Sequence, residues 1–310
     1  MWGGEKLGRL LGKSIGGEKN YAESWEVVDH GDDQSVVENG ELAGQTLAQL
    51  VSADRKCGRK WLMGETSDAS SFPLLLKYLD CNRVLSVQVH PDDAYGAKMT
   101  VPDLGKTEAW YVVDAEPDSL VYAGLKDGVD QAMLADAMAA GQTDSVLHCF
   151  VATAGDCVFI PAGTVHALGA GLVIAEIQQS SNTTFRLFDW NRVNAQGESR
   201  PLHIEQSLAV TDYTSGPVRP GKSDRQRAGW QSLVRCDKFC LSVIETGQAK
   251  IGGDGQFHLL TVPRGSVMLD TPDQNQTITA GGTVMLPASM PECEVTVQPG
   301  GAMLASSPGH

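Results

Sequence analysis

A chain of 310 residues, 42% hydrophobic and 20% charged, can bury a sizeable core as one large domain or two of ordinary size. Its formal net charge of −14 repels polyanions, so nucleic acid is not an expected partner and any phosphorylated ligand needs a local basic pocket. The 34 glycines and 14 prolines are spread along the sequence, punctuating many short strands, and a mainly β fold is expected.

No apolar stretch reaches the roughly 18 residues that a membrane span needs, and the start MWGGEKLGRL lacks the apolar core of a signal peptide. The cysteines at 57, 81, 149, 157, 236, 240 and 293 form an odd set without CxxC spacing, which favours reduced thiols and a cytoplasmic setting. A monomer is the expected state.

In chain order, residues 41–52 place Leu42, Leu47, Leu50 and Val51 at helical spacing. From Phe72 the texture changes to short runs rich in β-branched and aromatic residues, FPLLLKYLD, RVLSVQVHP and TEAWYVVDA, each ended by turn formers and each read as a strand. Residues 127–140 interrupt them with Val129, Met133, Ala137 and Met138 near helical spacing, a small helical insertion. Strands resume through SVLHCFVATAGDCVFIPAGTVHAL and GLVIAEIQQ. A polar, turn-rich segment from Ser180 to about Gly221 then marks the expected boundary between a domain at 1–215 and a second β-rich domain at 216–310.

The two parts share a pattern. Gly155 begins a G-x5-P-x-G-x2-H string running through Pro161 and Gly163 to His166, and Gly281 begins GGTVMLPASMPE, with Pro287 at the matching place. There Ser289 replaces the second glycine and Glu292 the histidine, as in a diverged repeat that keeps the turn and loses a ligand; chance likeness of two Gly-to-Pro strands is the alternative.

In SVQVHP, strand alternation sends Ser86, Gln88 and His90 to one side and Val87 and Val89 to the other. Inward polar groups cost stability unless something satisfies them, and a metal ion does so for an amide oxygen and an imidazole. Glu108 heads the apolar strand AWYVV and adds a carboxylate. His166 follows a Pro-Ala-Gly turn whose glycine permits close backbone approach. Gln88, His90, Glu108 and His166 together make an N2O2 set compatible with zinc, iron, manganese or cobalt. Cys149 and Cys157 flank the second motif and are read as buried, inert thiols among apolar neighbours.

The strings SVQVHPDDAY, GKTEAWYVV, GDCVFIPAGTVHALG and EIQQSSNTTFRLFDW, with ESWEVVDH nearer the start, closely resemble type I phosphomannose isomerase over nearly all of the first 210 residues. The resemblance implies two cupin (jelly-roll) β-barrels. The first would bind one zinc ion through Gln88, His90, Glu108 and His166, and the second would be metal-free. It also implies interconversion of mannose 6-phosphate and fructose 6-phosphate. Three departures stand out: members carry a strand before the Trp-Gly-Gly motif, whereas this chain starts at Met1-Trp2; the helical domain of larger members is reduced to about 127–140; and the family's usual Asp is Asn182.

Moving a carbonyl between C1 and C2 takes a base for a carbon-bound proton and a cation for the enediolate. Arg186 matches the family's active-site arginine and is assigned to stabilising the enediolate or guiding the proton; an ion pair with Asp189 is its alternative. Lys106, two residues before Glu108, faces the same way and is a candidate for phosphate binding or for the base. Glu176 is the rival base, with Gln178 on the same strand face as a substrate contact, and Ser86 is a phosphate donor. Trp25, Trp110 and Tyr111 are pocket or core. A non-catalytic sugar-binding cupin and a metal-dependent cupin oxygenase are the rival functions.

Overall fold

Alternate residues of the run Leu172–Gln179 face two different apolar layers, and all eight are buried. Leu172 and Ile174 join one core while Val173, Ala175 and Ile177 join another. A strand covered on both faces reads as a continuous apolar run, which explains why this segment shows no polar alternation.

The computed structural model describes residues 2–58, 60–66, 69–194 and 196–309, and it is mainly β with few helices. The first part holds β1 (Glu23–Val27), β2 (Asp29–His30), β3 (Asp33–Gln34), β4 (Leu74–Cys81), β5 (Val87–Val89), β6 (Glu108–Ala115) and β7 (Leu120–Leu125). It continues with β8 (Leu147–Val151), β9 (Asp156–Ile160), β10 (His166–Leu168), β11 (Leu172–Gln179), β12 (Phe185–Phe188) and β13 (Gly221–Lys222). Its helices are α1 (Lys6–Leu11), α2 (Leu47–Cys57), α3 (Asp93–Gly96), α4 (Gln131–Ala139) and α5 (Ile204–Val210). One sheet runs β1-β4-β11-β6-β9-β13 and the other β12-β5-β10-β7-β8. They face each other across a core built from Leu79, Trp110, Val112 and Ile174 on one side and Val121, Ala123 and Leu168 on the other.

The second part consists of β14 (Gln231–Arg235), β15 (Phe239–Ile244), β16 (Gln248–Ile251), β17 (His258–Arg264), β18 (Ser266–Asp270), β19 (Asn275–Thr279), β20 (Thr283–Leu286), β21 (Cys293–Val297) and β22 (Ala302–Pro308). Its sheets run β14-β15-β22-β17-β20 and β16-β21-β18-β19, again packed face to face, here through Ile244, Leu260, Val267, Leu269 and Val295. The strand orders repeat those of the first part: β1-β4-β11-β6-β9 has its counterpart in β14-β15-β22-β17-β20, and β5-β10-β7-β8 in β16-β21-β18-β19. Among the described residues no sheet closes on itself, so each part is a pair of stacked open sheets.

The outer face of β4, β6 and β11 is covered by the second part. Leu74, Leu76, Tyr78, Ala109, Tyr111 and Val173 share one core with Phe239, Leu241, Val243, Leu259 and Leu304. Polar contacts cross the same seam: the Tyr78 hydroxyl meets Thr261 Oγ1 at 2.7 Å, and Thr283 Oγ1 donates to Glu26 at 3.1 Å.

Three local expectations need correction. The first helix begins at Leu47, because Thr46 forms a capping box with Gln49; Leu42 lies in the preceding turn and is 39% exposed. The insertion is helical over Gln131–Ala139, capped by Asp130, and it buries Leu134 while Met133 faces solvent. The segment from 180 to 221 is more than a connector, since it supplies β12 to the second sheet and the helix α5.

Candidate metal centre and active-site cavity

Three adjacent strands bring the predicted ligands together. β5 pairs with β10 so that Gln88 faces His166, and Glu108 opens β6 in the opposing sheet. The turn before β10 needs its glycine: Gly163 has φ +87°, and its N–H donates to the His90 carbonyl at 2.8 Å, tying the two histidine-bearing segments together.

His90, Glu108 and His166 are all buried, with ligand atoms within 4.8 Å of one another. His166 Nε2 lies 3.3 Å from one Glu108 oxygen and His90 Nε2 lies 3.6 Å from the other. The backbone fixes both tautomers. Nδ1 of His90 meets the Thr183 carbonyl at 2.9 Å and Nδ1 of His166 meets the Thr164 carbonyl at 2.8 Å. A carbonyl only accepts, so each Nδ1 carries the proton and each Nε2 turns a lone pair inward.

Burial, above all, pushes the His166 imidazole down to about 4, and burial with the neighbouring Lys106 ammonium pushes His90 well below its ordinary range. Neutral imidazole lone pairs therefore point at carboxylate oxygens, acceptor against acceptor. His166 Nε2 has no hydrogen-bond partner among the described residues. A divalent cation satisfies all of these groups at once, so the residues fit a metal site. Gln88 is half-buried beside them on the same cavity wall, placed to add its amide oxygen.

Glu108 and Gln88 open onto a cavity of about 340 Å³ whose walls also include Ser86, Lys106, Glu176, Arg186, Trp25 and Trp110, while the two histidines meet Glu108 from behind that lining. Lys106 Nζ lies 2.9 Å from Glu108, 3.2 Å from His90 Nε2 and 3.7 Å from Glu176. Trp110 packs edge-on against His166 at 5.2 Å. Tyr111 points the other way, into the seam between the two parts, where its hydroxyl donates to Glu245 at 3.4 Å. Arg186 makes no ion pair with Asp189, which is taken by Arg192 and Arg200; instead its Nε donates to Ser86 Oγ at 3.3 Å.

Gln178 does not reach the cavity wall. It sits opposite Glu108 in the sheet, buried, and spends its amide N–H groups on the carbonyls of Gln179 and Ser181. Asn182 is on the wall, and the nearby carboxylate belongs to Asp103, which accepts from Ser181, Thr183 and the Asn182 N–H. Cys157 is buried on the far face and its thiol is pushed up to about 12, chiefly by burial, whereas Cys149 is exposed; neither joins the cluster.

Lys77 and Arg200 are cavity residues that sequence reasoning missed. Of these, Lys77 is the more buried. It lies 3.4 Å from both Glu176 and Glu23 on the cavity wall, and although burial opposes its charge, the carboxylates of Glu176, Glu23 and Glu108 hold its ammonium above the usual range. The signal was present: a single lysine inside the apolar strand LLLKYLDC.

Comparison with known proteins agrees with this geometry. The pattern of the phosphomannose isomerase type I catalytic domain matches residues 1–121. Mannose-6-phosphate isomerase of Streptococcus mutans is 40% identical over 233 residues, covering 75% of this chain and 69% of that protein. Mannose-6-phosphate isomerase ManA of Bacillus subtilis is 32% identical over 295 residues, covering 94% of this chain and 91% of that protein. The crystal structure of the Bacillus subtilis mannose 6-phosphate isomerase superposes with a TM-score of 0.81 at 27% identity, covering 98% of this chain and 95% of the other. Relatedness over nearly the whole length, joined to a buried His-Glu-His cluster beside a polar cavity, shows that this chain belongs to the type I phosphomannose isomerase (mannose-6-phosphate isomerase) family of enzymes.

Proposed function

We propose that the protein is a zinc-dependent aldose–ketose isomerase that interconverts mannose 6-phosphate and fructose 6-phosphate through an enediolate. The observation that carries this reading is a buried two-histidine, one-carboxylate cluster whose Glu108 opens onto one cavity with Lys106, Glu176 and Lys77. Zinc held by Gln88, His90, Glu108 and His166 would supply positive charge to the sugar oxygens.

The protein's own groups handle the proton. Glu176, flanked by the Lys77 and Lys106 ammonium groups, is the carboxylate base that takes a proton from C2 of the aldose and returns it to C1. Lys106 is a donor in this geometry, because the His90 Nε2 beside it can only accept, and it steadies the developing enediolate. Arg186, expected from the sequence to stabilise the enediolate or guide the proton, lies with Ser86 toward the edge strand and is read here as holding the charged end of the substrate, while Gln178 positions the 179–181 turn behind Glu108.

In this reading the catalytic cupin domain, expected over residues 1–215, extends through β13 to Lys222, which pairs with β9, and the chain from there to 310 forms a metal-free second cupin. The odd set of free thiols fits a cytoplasmic enzyme, and a monomer suffices because every proposed site residue comes from one chain. A coupled assay with mannose 6-phosphate, before and after chelation, tests the proposal: zinc-loaded protein should form fructose 6-phosphate and chelated protein should not. No product from zinc-loaded protein sinks it.

A further inference from the structure

The cavity is lined by four cations in a chain of net charge −14, and they are not equivalent. Lys77 and Lys106 are each neutralised by carboxylates within 4 Å, Glu23 and Glu176 for the first, Glu108 and Glu176 for the second. Arg186 has no carboxylate within ion-pair reach among the described residues, and Arg200 shares its one partner, the buried Asp189, with Arg192. The arginine end therefore carries uncompensated positive charge. Burial and the neighbouring Arg200 and Arg192 depress the Arg186 guanidinium, the response of a desolvated cation that lacks an anion.

The two guanidiniums are aimed as well as charged. Asp189 accepts from Nε of Arg200 at 2.8 Å and from its NH2 at 2.7 Å, a fork that fixes the plane of the group. The backbone beside Arg200 is tied to β12: Arg186 NH1 donates to the Pro201 carbonyl at 3.1 Å, and the His203 N–H donates to the Arg186 carbonyl at 2.8 Å. Each guanidinium has five N–H donors and commits two among the described residues, leaving three for a ligand.

We propose that Arg200, braced by Asp189, is a substrate-binding and specificity-determining residue that clamps the phosphate end of the sugar together with Arg186. The inference rests on the isomerase reading above. Its placement suits the substrate: Arg186 pairs with Gln88 and Gln88 with His166, so the arginine strand lies one strand spacing, about 5 Å, from Gln88 and two, about 10 Å, from His166. The reacting C1 and C2 lie at the opposite end of a hexose 6-phosphate from its phosphate. A planar fork also matches a phosphate better than a lysine ammonium does.

The test uses full-length, zinc-loaded protein with Arg200→Ala, Arg200→Gln and Arg200→Lys. Inorganic phosphate is titrated calorimetrically, and mannose 6-phosphate kinetics are measured beside it. Arg200→Ala and Arg200→Gln should raise KM about tenfold to a hundredfold and weaken phosphate binding by a similar factor, with kcat within about threefold and zinc content unchanged. Arg200→Lys should recover part of both losses. Glutamine can still donate to Asp189, so a fold defect confined to the alanine variant leaves the test intact. Unchanged KM and phosphate affinity overturn the proposal, and so does a fall in kcat and zinc content at constant KM, which would make Arg200 a structural brace. Wild-type protein that binds phosphate through Arg200 yet forms no fructose 6-phosphate would defeat the isomerase reading and leave the anion clamp standing.

Discussion

The two parts of the molecule repeat one strand order, but among the described residues only the first places unsatisfied chemistry at its mouth. Glu108 pairs with Ile160, the residue before Pro161, and His258 pairs with Leu286, the residue before Pro287, so His258 occupies the second part's equivalent of the Glu108 position. A cavity of about 260 Å³ opens there too, lined by Trp230, Lys250, Asp254, His258 and Glu292. In it the charges pair off: His258 meets Asp254 at 3.0 Å, and Lys250 meets Glu292 at 2.6 Å with side chains 68% and 53% exposed. In the first part the groups are buried, the lone pairs converge, and partners are fewer than acceptors. The same scaffold becomes a site where burial outruns pairing.

The sharpest way to break this contrast is to cut both positions. His166→Ala should abolish stoichiometric zinc and lower activity by roughly a thousandfold or more, while His258→Ala should change neither; elemental analysis and the coupled assay read both. Zinc retained by His166→Ala would contradict the ligand assignment. Next in size, Glu176→Gln should lower kcat by about 10² to 10⁴ with zinc retained, as loss of a general base requires. A carboxamide variant at full speed would move the base elsewhere.

Acid supplies the third test. An unfolded histidine titrates near 6.5 and folded His166 near 4, so between these values the unfolded chain binds a proton that the folded chain refuses. Stability from this group is complete above pH 6.5 and falls on acidification toward pH 4, by on the order of 3 kcal/mol. Melting of chelated protein should fall across that window, and His166→Gln should reduce the fall without abolishing it, because the buried His90 imidazole, also held well below its ordinary range, keeps its own share. The smallest effect belongs to the exposed pair of the second part: Lys250→Ala should leave both melting and activity unchanged, because solvent screens such a contact.

The grouping of His90, Glu108 and His166 was legible because each of them sits in or beside a strand or turn whose local rules are strong. Alternation in SVQVHP orients Gln88 and His90, and the Pro-Ala-Gly turn delivers His166. Lys77 escaped because a strand buried on both faces hides which of its residues look into the cavity. Arg200 escaped because its surroundings have no period; its position is set by Asp189 and the Arg186 backbone, contacts across 11 and more residues of turn-rich chain. Met133 was named for the helical face and the buried Leu134 was not, because a nine-residue helix offers too few turns for spacing alone to choose its buried face. The seam between the two parts was invisible, since its residues, from Leu7 to Leu304, come from the whole length of the chain.

That seam makes the sheet bearing Glu108 and Glu176 depend on the second part of the chain. A fragment ending at Lys222 would bare Leu74, Leu76, Tyr78 and Tyr111 together on one face and strand the Tyr78 hydroxyl without Thr261. Such a fragment is expected to aggregate, and scanning calorimetry of the whole chain to show one heat-absorption peak rather than two. The second part thus acts as a back wall, keeping the apolar outer face of β4, β6 and β11 out of water while the opposite face looks toward the cavity.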